Sequence, residues 1–139
     1  MQSSIDSDRG DIRGAAVVRA SDCALSEDWH IPFREILGHH ETGGLAVYLL
    51  EYGDGAEVPR HSHGLEDEFL MDEIYIIESG TATVTLEDEA YDVEPGDLVW
   101  IPRGARHSVK AGPDGLRVWA LVAWLDVIHP GRPGAKTSY

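Results

Sequence analysis

Cysteine occurs once in this chain of 139 residues, at Cys23, so no disulfide can close within it. A lone thiol suits a reducing compartment, and a cytoplasmic home is expected, with Cys23 in passive packing. Basic residues are scarce. Eleven Lys and Arg stand against 25 Asp and Glu, a formal net charge of −14. Nucleic acid and anionic membrane surfaces both need a positive patch, so neither is expected as a partner. The acids crowd between Glu66 and Asp97, and solubility is the plain reading of them. No apolar run approaches the ~20 residues of a membrane-spanning helix. The first dozen residues are polar and charged, without the apolar core of a signal peptide. No amphipathic run of helical length appears, and there is no tandem repeat.

What remains is a series of short apolar alternations punctuated by Gly and Pro, in a chain of one-domain size. Residues 1–14 read as a flexible tail, 15–128 as a single domain, and 129–139 as a second tail broken by Pro130, Gly131, Pro133 and Gly134. Residues 15–19 are a short β-prone piece. Residues 22–38, with Trp29, Phe33, Ile36 and Leu37, read as holding a helical turn. Leu45–Tyr52 is the first clear strand, apolar on both faces, as expected where each sheet face is covered. Residues 73–78 and 81–87 read as two strands joined by a turn at Ser79-Gly80. In the second, Ala82, Val84 and Leu86 alternate with Thr81, Thr83 and Thr85, one apolar face and one hydroxyl-rich face.

A strand at 91–93 ends in the turn Glu94-Pro95-Gly96-Asp97. Leu98–Ile101 runs into Pro102, which cannot donate to a central ladder. Strands at 107–110 and 118–126 follow. Regular short strands with Gly and Pro turns favour an all-β sandwich or jelly roll. Trp100, Trp119, Trp124 and Tyr48 are expected as core and interface aromatics, and His39-His40 as a solvent-facing loop pair.

Four side chains point to chemistry: His61, His63, Glu73 and His107. A strand alternates its side chains with period two, so His61 and His63 project from one face. Neighbouring strands must then deliver Glu73 and His107 to the same point. Imidazole nitrogens with one carboxylate oxygen suit Fe, Mn, Ni, Co, Cu or Zn. The pattern reads as a mononuclear metal site.

The stretches carrying these residues resemble the paired signature motifs of the cupin superfamily, from about residue 45 to about residue 122. The first motif runs Gly, five residues, His-x-His, three or four residues, Glu, six residues, Gly. It matches at Gly55, His61, His63, Glu73 and Gly80, and the second motif matches at Gly96, Pro102, Gly104 and His107. There are two departures: nine residues separate His63 from Glu73, and Ala111 stands where the family often has Asn. The resemblance implies an all-β double-stranded β-helix, or jelly roll, with a short N-terminal extension. It also implies these four side chains as ligands inside the barrel, and a homodimer. Trp29 and Phe33 are expected at that interface.

Glu68 lies at the family's usual distance from His63 and is the alternative carboxylate. Glu73 keeps the step to Gly80 and starts a strand with Tyr75 and Ile77 on its own face. The extra residues, 64–72, read as a longer hairpin loop or as a lid carrying Glu66, Asp67 and Glu68 towards a substrate.

One divalent transition-metal ion per chain is expected, Fe(II) first, with Zn, Mn, Ni, Co and Cu as alternatives. Four protein ligands on a six-coordinate ion leave two positions for a small-molecule substrate. With Fe(II) this permits dioxygenation of a dicarbonyl, phenolic or polyketide-like molecule, the reading placed first. With Zn, Ni or Mn, Lewis-acid chemistry would support an isomerase, cyclase, lyase or decarboxylase. Glu73, Tyr75 and Glu68 are the catalytic candidates, with His39 a further proton carrier. A non-catalytic binding or sensor barrel is the third reading.

Overall fold

The structure, a computed structural model, describes residues 15–63 and 71–124. Its strands are β1 (Leu25–Ser26), β2 (Phe33–Leu37), β3 (Leu45–Tyr52), β4 (Glu57–His61), β5 (Met71–Leu86), β6 (Glu89–Val93), β7 (Leu98–Ile101) and β8 (His107–Trp124). A 3₁₀ turn at Ala20–Asp22 and the four-residue helix α1 (His39–Thr42) complete the described elements. All strand pairs are antiparallel. The fold is the all-β jelly roll that the motifs imply.

Two long strands organise it. The first half of β5 pairs with β7 and with the second half of β8, which also pairs with β3; β2 follows β3 in the sheet, and β1 follows β2. The second half of β5 pairs with β6 and with the first half of β8, which also pairs with β4. β5 and β8 therefore run through both layers of the roll and bend together between them.

Burial parity records the bend. In β5, Glu73, Tyr75 and Ile77 are buried, then Ala82 and Val84: odd positions give way to even ones. In β8, His107, Val109 and Ala111 are buried, then Leu116, Val118, Ala120 and Val122. A strand changes parity only through an irregularity, and the β5–β8 register shifts at Ile77/Ser79 and at Gly80/Ala82. Inward residues of both layers, among them Val58, Val84, Val109, Ile77, Ile101 and Val118, form one core cluster.

A second cluster lies on the outer face of β2 and β3. There Cys23, Ile36 and Leu49 are buried together, with Val18, Ala20, Val47 and Trp119 against them. Arg34 ties the N-terminal segment down, donating from Nη1 to the Cys23 carbonyl at 2.6 Å and from Nε to Glu51 Oε2 at 2.9 Å. That cover explains the apolar residues on both faces of β3. Leu49→Ala is expected to lose about 2–5 kcal/mol of stability, the ordinary cost of a buried leucine-to-alanine cavity, read from the urea midpoint.

Several local expectations are corrected. Residues 73–78 and 81–87 are one continuous strand, because the Ser79-Gly80 step bends the ladder without ending it. Residues 107–110 and 118–124 are likewise parts of β8, which crosses Gly112-Pro113-Asp114-Gly115. The apolar residues Phe33, Ile36 and Leu37 belong to a strand, not a helical turn, since both faces of β2 find cover. Residues 15–19 form no strand, and His39-His40 starts the short helix α1. Phe33 packs against the inner cluster, and Trp100 is 50% exposed on the outer face. The expected tails at 1–14 and 129–139, and the side chain of Trp124, lie outside the described residues. Among the described residues, no helix is long and apolar enough to cross a membrane.

Candidate metal centre

His61 ends β4 and stands opposite His107, the first residue of β8, in the antiparallel register. His63 follows two residues later, and its carbonyl accepts the Gly104 N–H at 2.6 Å. Glu73 comes from the other layer, between Ile101 of β7 and Val122 of β8. The loop before β8 is stitched to that strand as well, because the Arg103 N–H donates to Asp72 Oδ1 at 2.8 Å. Thus the second motif's Pro-Arg-Gly turn grips the chain beside both His63 and Glu73.

Ligand atoms of His61, His63 and His107 lie within 4.8 Å of one another, a group able to hold a metal ion. His61 Nδ1 donates to the Pro59 carbonyl at 2.8 Å, and His107 Nδ1 donates to the Ala105 carbonyl at 2.9 Å. These bonds assign the proton to Nδ1 in both rings and leave Nε2 with its lone pair facing inward. His61 Nε2, His107 Nε2 and Glu73 Oε1 are all buried without a hydrogen-bond partner. Glu73 Oε1 approaches His63 Nε2 to 3.0 Å and His107 Nε2 to 3.6 Å. Glu73 is 7% exposed and His107 is 1% exposed. Buried polar atoms without partners are costly in a protein interior, and a cation in their midst removes the cost. The donor set fits a divalent ion.

Titration behaviour agrees with a neutral imidazole at His107. Burial, the largest cause, holds His107 below the ordinary imidazole range, although the Ala105 carbonyl and Glu73 pull the other way. Burial and then the Glu73 carboxylate push the Tyr75 phenol well above its usual value. Tyr48 is raised by burial, by Glu35 and by Glu73. Both phenols stay protonated at working pH and keep an O–H to donate.

A cavity of about 740 Å³ opens onto this centre. His63, Glu73 and Tyr75 line its inner end, and Phe33, Tyr48, Leu50, Met71, Ala120 and Val122 supply rings and apolar walls. Ser26, Asp28, Trp29 and Glu35 complete the lining. Trp29 is 42% exposed and lies edge-on to His61, with ring centroids 6.2 Å apart. A second hollow of about 790 Å³, between Thr83, Asp92, Asp97 and Lys110, touches none of the expected site residues.

The structure thus brings together His61, His63, Glu73 and His107, with Tyr75 beside them. Glu68, with Glu66 and Asp67, lies outside the described residues. His39 does not line the cavity. Glu35 and Asp28 escaped the sequence reading. The signal for Glu35 was its spacing of two from Phe33, which only a strand turns into a shared face.

Comparison with known proteins bears on this site. The Cupin domain family model matches residues 48–123. Dimethylsulfoniopropionate lyase DddW of Ruegeria pomeroyi is 29% identical over 73 residues, 52% of this chain and 44% of that protein. The chain therefore spans less than half the length of the curated relative it matches. Among solved structures, KdgF from a Halomonas species superposes with a TM-score of 0.69 at 20% identity, over 80% of this chain and 94% of that one. The oxalate decarboxylase of Bacillus subtilis, a protein with Mn(II) centres, gives a TM-score of 0.64 at 24% identity, over 82% of this chain and 31% of that one.

Proposed function

The chain belongs to the cupin family, and from that premise we propose that it is a metal-dependent enzyme acting on a small oxygenated organic molecule by redox-neutral, lyase-type chemistry. One observation carries the reading. The inward nitrogens of His61 and His107 and the Glu73 oxygen are buried without hydrogen-bond partners, beside a cavity large enough for a substrate. His61, His63, His107 and Glu73 would hold one divalent ion. When bound, such an ion supplies Lewis-acid polarisation of a substrate carbonyl or carboxylate. Similarity to a lyase supports elimination over oxygenation.

The chain's own groups have distinct tasks in this reading. Pro59 and Ala105 carbonyls fix the tautomers of His61 and His107, so their Nε2 atoms need no rearrangement to act as donors. Tyr75 Oη, held protonated beside Glu73, donates to negative charge developing on a substrate oxygen. The rings of Phe33 and Tyr48, whose centroids are 6.0 Å apart, wall off water. Tyr75→Phe is expected to lower kcat by about a hundredfold, in the range of a lost transition-state donor, while metal content stays that of the wild type.

The test follows turnover by NMR with and without O2, using a panel of carboxylates bearing a β leaving group, 1,3-dicarbonyls and phenolic acids. Anaerobic turnover by metal-loaded protein is the expected result. Turnover that requires O2 would move the protein to the oxygenase reading, and binding without turnover would make it a sensor or carrier. We place it in the cytoplasm, where a lone cysteine persists reduced. A homodimer is also part of the proposal, because Ile76, Leu98 and Trp100 form an exposed apolar strip on the outer face of β5 and β7.

A further inference from the structure

We infer that Glu87, exposed at the β5–β6 turn, is a positioning residue for the metal ligands. With its turn it holds Arg60 and Arg106, the residues just before His61 and His107. The assignment rests on the metal-centre reading of those two histidines.

The chain approaches the centre twice in the same way. Pro59-Arg60-His61 and Ala105-Arg106-His107 each place an arginine between a ligand histidine and the carbonyl that orients it. Both arginines reach one place, the two-residue turn Glu87-Asp88 between β5 and β6. Arg60 Nη2 donates to the Glu87 carbonyl at 3.0 Å and to Asp88 Oδ1 at 3.2 Å. The Arg106 N–H donates to Glu87 Oε1 and its Nε to Glu87 Oε2, both at 3.1 Å. In return the Glu87 N–H donates to the Arg106 carbonyl at 2.8 Å. One exposed turn therefore grips both segments that carry the inward imidazoles.

The sheet ladder gives those segments little hold of its own. Val58 pairs with Val109 and His61 with His107, so three steps along β4 oppose two along β8. Such a bulge leaves the ladder broken just before His61, and Pro59 within it has no N–H to donate. Arg106 precedes the first residue of β8. Glu87 itself stands in left-handed backbone, at φ +54°, where glycine is the unstrained choice. Strained residues persist where their surroundings hold them, and the side chain that glycine lacks is the one that grips Arg106. The Arg106 amide and then its guanidinium hold the Glu87 carboxyl below its ordinary range, so it stays a charged acceptor at neutral pH. An exposed ion pair contributes little to stability as such. Its effect here is on aim, because the Ala105 carbonyl next to Arg106 sets the His107 ring.

Glu87→Gly separates aim from stability. It removes the carboxylate, relieves the left-handed strain, and keeps the backbone groups that meet Arg60 and Arg106. Urea unfolding of the metal-free full chain is expected to give a midpoint at or above the wild type's. Competition with a chromophoric chelator is expected to show Zn(II) bound about tenfold more weakly, the low end for loss of a group that holds a metal ligand from behind. The visible spectrum of Co(II)-loaded protein should shift, because the ligand angles change. Glu87→Gln keeps the strain and one acceptor oxygen. It is expected to weaken Zn(II) binding by about threefold, since a neutral acceptor has roughly half the strength of a charged one. Unchanged affinity in both variants would overturn the inference. A loss of affinity matched by a fall in the metal-free midpoint would overturn it too, by making Glu87 structural only. A wild-type chain that takes up no Zn(II) removes the metal centre itself, which keeps the two failures apart.

Discussion

His107→Gln, purified without an affinity-metal column, is expected to retain less than about a tenth of the wild type's metal. The side chain is buried, its Nδ1 is committed to the Ala105 carbonyl, and its Nε2 faces His61, His63 and Glu73. Loss of a hydrogen-bond partner one step out from a ligand already costs about 10–100-fold in metal affinity, and loss of a ligand costs more. Stability should follow. An ion at about a thousandfold excess over its Kd stabilises a protein that binds it only when folded by about 4 kcal/mol. For a chain of this size that is an increase in Tm on the order of 10–15 °C. The wild type should show that increase when metal is restored after chelation, and His107→Gln should not. Glutamine keeps the site filled, so a fall in its metal-free Tm is not the readout; the metal-dependent increment is. An unchanged wild-type Tm on adding Zn, Mn, Fe(II), Ni, Co or Cu would sink the metal centre.

Gly80→Ala is expected to cost about 3–5 kcal/mol, while Gly96→Ala costs about 1–2 kcal/mol, although both glycines sit at motif positions with left-handed backbone. Their φ angles are +83° and +94°, so the conformational strain of adding a Cβ is alike. Their surroundings are not. A Cβ on Gly80 would lie 2.2 Å from the Gly115 carbonyl oxygen, whereas one on Gly96 meets nothing within 4 Å. Gly80 is where β5 bends against β8, so the clash falls on two backbones that neither rotamer change nor side-chain motion can part. Urea unfolding of the two variants checks the difference. Equal losses would mean that the bend tolerates separation and that strain in φ is the whole cost.

Much of this protein was legible in its residues. Alternation located the strand cores: Ala82 and Val84 face inward while Thr81 and Thr83 face solvent, as period two requires. The pairing of His61 with His63, and of Glu73 with Tyr75 and Ile77, follows from the same rule. Motif spacing pointed to the family, and Glu73 Oε1 lies 3.0 Å from His63 Nε2 and 3.6 Å from His107 Nε2. Such features are local, carried by neighbours within a few residues.

What escaped the sequence depends on partners far along the chain. Ser79-Gly80 has the composition of a turn, and only the matching bend in β8 across residues 112–115 makes it a continuous strand with changed parity. Phe33 and Ile36 are too few to announce a strand, and β2 exists because the inner core takes one face and the Cys23 cluster the other. Most of all, Glu35 gives no sign in sequence of belonging to the site. Its side chain reaches the cavity because β2 pairs with β3 beside Tyr48. Sequence by itself determined the donor chemistry and the strands that bear it. Tertiary structure alone decided which charges share the cavity with those donors, because charge complementarity depends on distance through space and not along the chain.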